Sequence, residues 1–337
     1  MSAVTVPEAK LEPTATRVAY GDALVALGER YEDVVALDAD LSVSTQSAKF
    51  GKLFPDRFFN LGAAEANMMS MACGLAASGK KPYASTFAIF AAGRAYDQVR
   101  LGIAHNELPV RIGASHGGVS LGEDGASHQM IEDIALMRAM PHMKVVVPAD
   151  YNQALRVTID SYEDPAPMYL RFGRPATPAV YESVPTEIGG GVDVLREGKD
   201  ITLIACGHMV WRALEAAESL EAEDGVEAEV LNVAIVKPID SAAILDSLAK
   251  TGVAVTAEEH RVVGGLADAV RHVAAEQHPV PIFAVGMGDE FGVSGTGEAC
   301  MEHFGLTAAG IVDRAREALL LKPIVSHPPI HGGASAK

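Results

Sequence analysis

The chain has 337 residues, 49% of them apolar and 21% charged, a globular composition with length enough for about two domains. Its 27 Lys and Arg against 44 Asp and Glu leave a net charge of -17, which disfavours nonspecific binding to nucleic acid or to anionic membranes and leaves anionic metabolites to local arginine pockets. No run of about 18 uncharged apolar residues is present to span a bilayer, MSAVTVPEAKLEPT lacks the charged-then-apolar start of a signal peptide, and Cys73, Cys206 and Cys300 form neither a disulfide framework nor a CxxC metal motif. A cytoplasmic protein with reduced thiols and no membrane segment is expected.

Helix-like and strand-like segments then alternate. A helix is predicted over 17–31, a strand over 34–38, a strand end at 58–62 and a helix over 65–79. A strand at 82–87, a helix at 90–105 and a strand at 109–114 follow, then a glycine-rich loop to Ser127. A helix at 129–139, a strand at 144–148, a helix from Asp150 and a strand at 167–172 complete the first unit. Residues 175–200 break the rhythm with three prolines in the first eleven positions and GGG at 189–191, and read as a linker that has room for an edge hairpin. Beyond it come a strand at 201–207, a helix at 209–223, a strand before a turn at Pro238, strands at 254–260 and 281–286 around a helix at 264–277, and a last helix at 307–320. The stretch 215–229 carries seven acidic and no basic residues and reads as a solvated helix face with its following turn. The pattern predicts α/β architecture: two doubly wound domains with mainly parallel sheets, at 14–178 and 201–320, joined at 179–200, with a flexible tail at 321–337 in which nothing orders His327 and His331 as a metal site.

In such folds ligands bind at loops beyond the carboxyl ends of strands. Five loops there carry unusual polar residues. ASHGGVSLGEDGASHQMIED at 114–133 brackets the acidic pair Glu123 and Asp124 with His116 and His128, an inventory for proton movement or for binding a polyhydroxylated ligand, or else a structural loop with surface histidines. Glu65 opens an otherwise apolar helix, where a carboxylate either serves chemistry or simply complements the helix dipole. Asp38 and Asp40 end a strand, and Asn60 ends another. Phe87 and Phe90 flank a strand-to-helix loop in a chain only 6% aromatic, and are either core or a flat wall for a ring. Arg171 and Arg174 in YLRFGRP suit a carboxylate or phosphate, with surface salt bridging as the alternative. GxGxxG, GxxxxGK[ST] and GxSxG are absent, and GMGDEFGVSGTGE at 286–298 reads as a turn and interface loop.

Taken together, FPDRFFNLGAAEANM, ASTFAIFAAGRAYDQVR, GEDGASHQMIEDIALMRAMPHMKVVVPAD, YLRFGR, IVKPID, AEEHRVVGGLADAV and DEFGVSG resemble the C-terminal half of transketolase, in the thiamine diphosphate enzyme superfamily, from about residue 14 to about 320. The resemblance implies a pyrimidine-binding domain followed by the transketolase C-terminal domain. It implies that Glu65 exchanges a proton with N1′ of the cofactor's aminopyrimidine, that Phe87 and Phe90 form an aromatic platform, and that Asp40 lies near the thiazolium. His116, Asp124 and His128 match residues that contact sugar hydroxyls or assist proton transfer, and Arg174 matches an arginine near the sugar phosphate. A third aromatic of many transketolases falls at Gly93.

One departure bears on assembly. The GDG diphosphate motif of the family's preceding domain is missing; GDA at 21–23 and GDE at 288–290 stand in other contexts. The resemblance therefore implies one subunit of a split transketolase, with thiamine diphosphate shared with an N-terminal partner that carries the GDG motif, Mg²⁺ or another divalent cation held mainly by that partner, no metal site in this chain, an α2β2 assembly and sugar phosphate substrates. A 1-deoxyxylulose-5-phosphate synthase-like enzyme, a 2-oxo acid dehydrogenase E1 beta-like subunit and a non-catalytic paralogue are the alternatives.

Overall fold

A computed structural model describes residues 4–322. From residue 323 onward, the expectations for the tail, His327 and His331 included, lie outside the described residues. Two α/β sheets organise the chain. The first has seven strands in the order β10-β5-β6-β4-β3-β1-β2, made of β1 (Val34–Asp38), β2 (Phe58–Asn60), β3 (Lys81–Phe87), β4 (Arg111–Ser115), β5 (Lys144–Val146), β6 (Met168–Arg171) and β10 (Ile235–Lys237). The second has five in the order β12-β11-β8-β9-β7, made of β7 (Val192–Arg196), β8 (Ile201–Ala205), β9 (Ala228–Val233), β11 (Ala254–Arg261) and β12 (Ile282–Met287).

All pairings are parallel except at one edge of each sheet, where β10 runs against β5 and β7 against β9. The central strands are buried along their whole length, as parallel strands covered on both faces must be. β10 belongs by sequence to the second half yet closes the first sheet, so the two halves share a main-chain edge as well as side-chain packing. The 167–172 segment, taken from sequence as the last strand of the first unit, is therefore followed in its sheet by one more. Within the stretch read as linker, β7 is an edge strand of the second sheet, not part of a local hairpin.

Most predicted helices form within a few residues of their expected bounds, among them Thr16–Arg30, Glu65–Ala77, Leu266–Gln277 and Ala308–Leu320. The 90–105 helix differs: it winds as two π-helical segments, Ile89–Arg94 and Gln98–Ala104. Its apolar spacing shows that it is helical but does not report how tightly it is wound. Ser42–Thr45, Ala48–Leu53, Ser241–Thr251 and Gly297–His303 are helices that the sequence pattern did not reveal. Six of the seven acidic residues of the 215–229 run are exposed, as a solvated helix face and turn require, and Glu229, on β9, is the exception, buried against Lys250.

Candidate functional site

The parallel register aligns the carboxyl ends of β1, β3 and β4. Asp38 lies opposite Ser85 and Asn60, and Phe87 lies opposite Ser115. Five loops therefore emerge on one rim: those after β1, β2, β3, β4 and β6.

Two of these loops and the helix Glu65–Ala77 build a continuous cluster. The Phe87 and Phe90 rings are nearly parallel, with centroids 6.0 Å apart and planes 9° off. His116 stacks on Phe87 at 3.9 Å, and the His128 ring stands edge-on to Phe90 at 5.5 Å. Glu65 is buried at the first turn of its helix, where its carboxylate accepts a hydrogen bond from Arg94 at 3.1 Å. Arg94 in turn lies over the Phe90 ring at 4.4 Å. A side chain placed at Gly93 meets nothing within 4 Å, so that position is open; the stacked and edge-on partners of the two phenylalanines are the imidazoles.

His116 is held in a left-handed backbone conformation, φ +61°, an uncommon state for a residue with a side chain. Its Nδ1 is 2.9 Å from Ser115 Oγ. Burial, then the charges of Arg17 and Arg174, push its pKa down to about 3, so the ring is neutral at pH 7 and can donate and accept at once. His128 Nδ1 is 2.9 Å from Ser127 Oγ.

The remaining predicted residues divide. Arg174 reaches back over the glycine-rich loop, pairing with Glu123 at 2.6 Å and donating to the Leu121 carbonyl. Asp124 is exposed and makes no hydrogen bond or ion pair among the described residues. Asp40, φ +66°, is exposed; its N–H donates to Asn60 Oδ1, which also accepts from the Gly62 N–H, so Asn60 ties the first two loops together. Asp38 is an internal anchor: fully buried, it accepts from Leu41 N–H at 2.6 Å and from the hydroxyls of Thr45 and Ser47. Arg171 is buried and forms a 2.8 Å ion pair with Asp133 while donating to the carbonyls of Met130 and Glu259, which makes it a strut between the two halves.

Sequence reasoning missed three residues. Arg17 donates to the carbonyls of Ser44 and Arg174, placing a second cation beside the first; the available signal was a basic residue in the first turn of a helix, where the dipole disfavours it. Gln129 donates to the carbonyls of Val119, Gly122 and Val293, pinning the glycine-rich loop to the second half. Glu259, on β11, accepts the Ser120 N–H at 2.5 Å. Glu258, Glu259 and His260 in succession on a strand that is buried were the signal there.

The rim has the make-up of a site for a flat ring with a hydrogen-bonding nitrogen. It offers the two phenylalanine rings and the buried Glu65 carboxylate. Among the described residues no three His, Cys, Asp or Glu side chains are grouped to hold a metal ion.

Residues 12–179 match the model of the transketolase pyrimidine binding domain, and residues 190–311 that of the transketolase C-terminal domain. The chain belongs to the transketolase family. A protein of Methanocaldococcus jannaschii named as a transketolase C-terminal section is 44% identical over 307 residues, 90% of this chain and 96% of that one. A solved structure described as "Split gene transketolase, inactive beta4 tetramer" is 46% identical, with a TM-score of 0.84, and is covered completely by 92% of this chain. The 1-deoxy-D-xylulose-5-phosphate synthase 1 of Geobacter sulfurreducens is 36% identical, but the match spans only 47% of its length. The chain thus corresponds to a transketolase C-terminal section, and the expected pair of α/β domains with mostly parallel sheets is the architecture of that family. No helix among the described residues is long and apolar enough to cross a membrane.

Proposed function

We propose that this chain is the catalytic C-terminal subunit of a two-chain transketolase, moving a two-carbon ketol unit from a ketose phosphate to an aldose phosphate. The observation that carries this reading is the end-to-end match to a separate transketolase C-terminal section, 96% of that protein's length, with Glu65, Phe87, Phe90, His116 and His128 gathered on one rim.

Thiamine diphosphate, when bound, supplies the nucleophilic carbon that receives the two-carbon unit. Phe87 and Phe90 would hold its pyrimidine, and Glu65 would exchange a proton with the ring nitrogen N1′. Asp40 would stand towards the thiazolium side. His116 and His128, with Asp124, would hydrogen-bond the sugar's hydroxyls and carry protons, with His116 acting as a neutral ring. Arg174 would exchange Glu123 for the sugar's phosphate, a carboxylate for another oxyanion. An N-terminal partner with the GDG motif would hold the diphosphate and Mg²⁺, the two chains assembling as α2β2 in the cytoplasm and serving pentose phosphate metabolism. The domain division at 179–200 is part of the same reading.

The test is a ketol-transfer assay of the chain alone, the partner alone and the mixture, with xylulose 5-phosphate and ribose 5-phosphate. Transfer by the mixture only is expected. Transfer by this chain alone, or release of carbon dioxide from pyruvate in place of ketol transfer, contradicts it.

A further inference from the structure

Beyond the ring cluster, a cleft of about 510 Å³ opens whose walls come from both halves. Arg17 and Arg174 line it from the first half, and His208 and Trp211, at the start of the helix Met209–Asp224, line it from the second. Ser120 lines it as well.

Three groups there have hydrogen-bonding capacity that the protein leaves wholly or partly unused. Ser120 is 4% exposed; its Oγ makes no well-formed hydrogen bond and lies beside the Glu259 carboxylate, whose pKa its side chain draws down against burial. The Trp211 indole Nε1 is buried and also has none. His208 spends Nδ1 on Thr177 Oγ1 at 3.1 Å, and Nε2 makes no hydrogen bond among the described residues. A buried polar atom left unpaired is costly, so the Trp211 indole N–H, with the Ser120 hydroxyl and the open Nε2 of half-buried His208 around the same cleft, points to a ligand that satisfies them. The indole is held in place: the Arg212 guanidinium lies 4.2 Å over it, itself paired with Glu298 at 2.6 Å, and the His208 ring stands edge-on at 5.8 Å. Burial and nearby Arg212 lower the His208 pKa to about 4, so all three groups are neutral at pH 7.

Neutral donors and acceptors beside an indole match hydroxyl groups, while the arginines match an oxyanion. We propose that Ser120, His208 and Trp211 form a hydroxyl-reading subsite through which the second half of the chain selects among anion-bearing sugars by the length of their polyol chain. This rests on the sugar phosphate reading of Arg174.

Trp211 is the chain's single tryptophan, so its fluorescence reports this subsite directly. The full chain, alone and assembled with its partner, is titrated with ribose 5-phosphate, sedoheptulose 7-phosphate, ribose and inorganic phosphate, and ketol transfer is measured on the same assembly. Saturable fluorescence changes with both sugar phosphates are expected, tighter for the seven-carbon sugar. Ser120→Ala and His208→Ala should each weaken that binding by roughly fivefold, the scale of one neutral hydrogen bond. No change in an assembly that still transfers ketol groups overturns the subsite and leaves the transketolase reading intact. An equal response to inorganic phosphate alone shows an anion site only and also overturns it. Sugar phosphate binding without transfer supports the subsite and counts against the transketolase reading.

Discussion

Glu65 is the residue on which the thiamine reading depends most. Its carboxylate is 3% exposed, paired with Arg94 and placed at a helix start, where the dipole alone would explain it. Glu65→Gln separates the two explanations. The near-isosteric change should cost at most about 1 kcal/mol of stability as a helix-dipole group. As a proton-exchanging group its loss should slow hydrogen–deuterium exchange at the cofactor's C2 in the reconstituted complex by roughly 10²–10⁴-fold. Wild-type exchange in the variant would remove Glu65 from catalysis. Arg174→Ala makes the matching test of substrate recognition. Loss of one charged hydrogen-bonded contact, about 1.5–3 kcal/mol, should raise KM for phosphorylated substrates by roughly 10–150-fold and leave unphosphorylated analogues nearly unchanged. Equal effects on both classes would place Arg174 outside phosphate recognition.

At the scale of elements, the glycine-rich loop after β4 is clamped from two sides. Arg171 leaves no room for a side chain at Gly117, where a Cβ would fall 2.7 Å from its Nε, and Glu259 packs on Gly118 while accepting from Ser120 N–H. Arg171→Ala would strand Asp133, which is fully buried, and breaking a buried pair in this way costs about 3–5 kcal/mol. Urea unfolding should show that loss together with weaker coupling between the halves, and a change below about 1 kcal/mol would contradict the strut. Next to it, burial pushes the Glu258 carboxyl up to about 7 although the N–H groups of Leu266 and Ala267 donate to it. A raised carboxyl pKa favours the folded state when the group is protonated. Its contribution is therefore fully present below the ordinary value of 4.5 and is lost as pH rises towards 7. Glu258→Gln should flatten that part of the stability–pH curve, and an unchanged slope between pH 5 and 7 would show that Glu258 does not titrate there.

This clamp also shows how much of the site was legible in sequence. Strands such as β1 and β4 declare themselves as short apolar runs, and the loops after them follow from parallel topology. Glu65, Phe87, Phe90, His116 and His128 could be singled out because they stand at strand ends or in the loops and helix starts that follow them. Arg171 and Arg174 look alike there, three residues apart, and only the third dimension separates a buried strut from a residue at the cleft. Asp38 and Asp40 divide in the same way. β10 was unreadable as part of the first sheet because its pairing with β5 is long-range and no local pattern encodes it.

At the scale of the whole molecule, the two halves are bound by the β10 edge, the Arg171–Asp133 strut and the loop contacts of Gln129 and Glu259. The second half therefore takes part in shaping the rim that carries the proposed chemistry. The rim supplies aromatic rings, a buried carboxylate and imidazoles, and the chain contains no GDG diphosphate motif. We propose on these grounds that the thiamine site is composite and completed by a second polypeptide. Calorimetric titration of thiamine diphosphate with Mg²⁺ into this chain, into its N-terminal partner and into their equimolar mixture tests it most directly. Weak or no saturation with this chain alone and tight, stoichiometric binding in the mixture are expected, whereas tight binding by this chain alone would contradict a composite site.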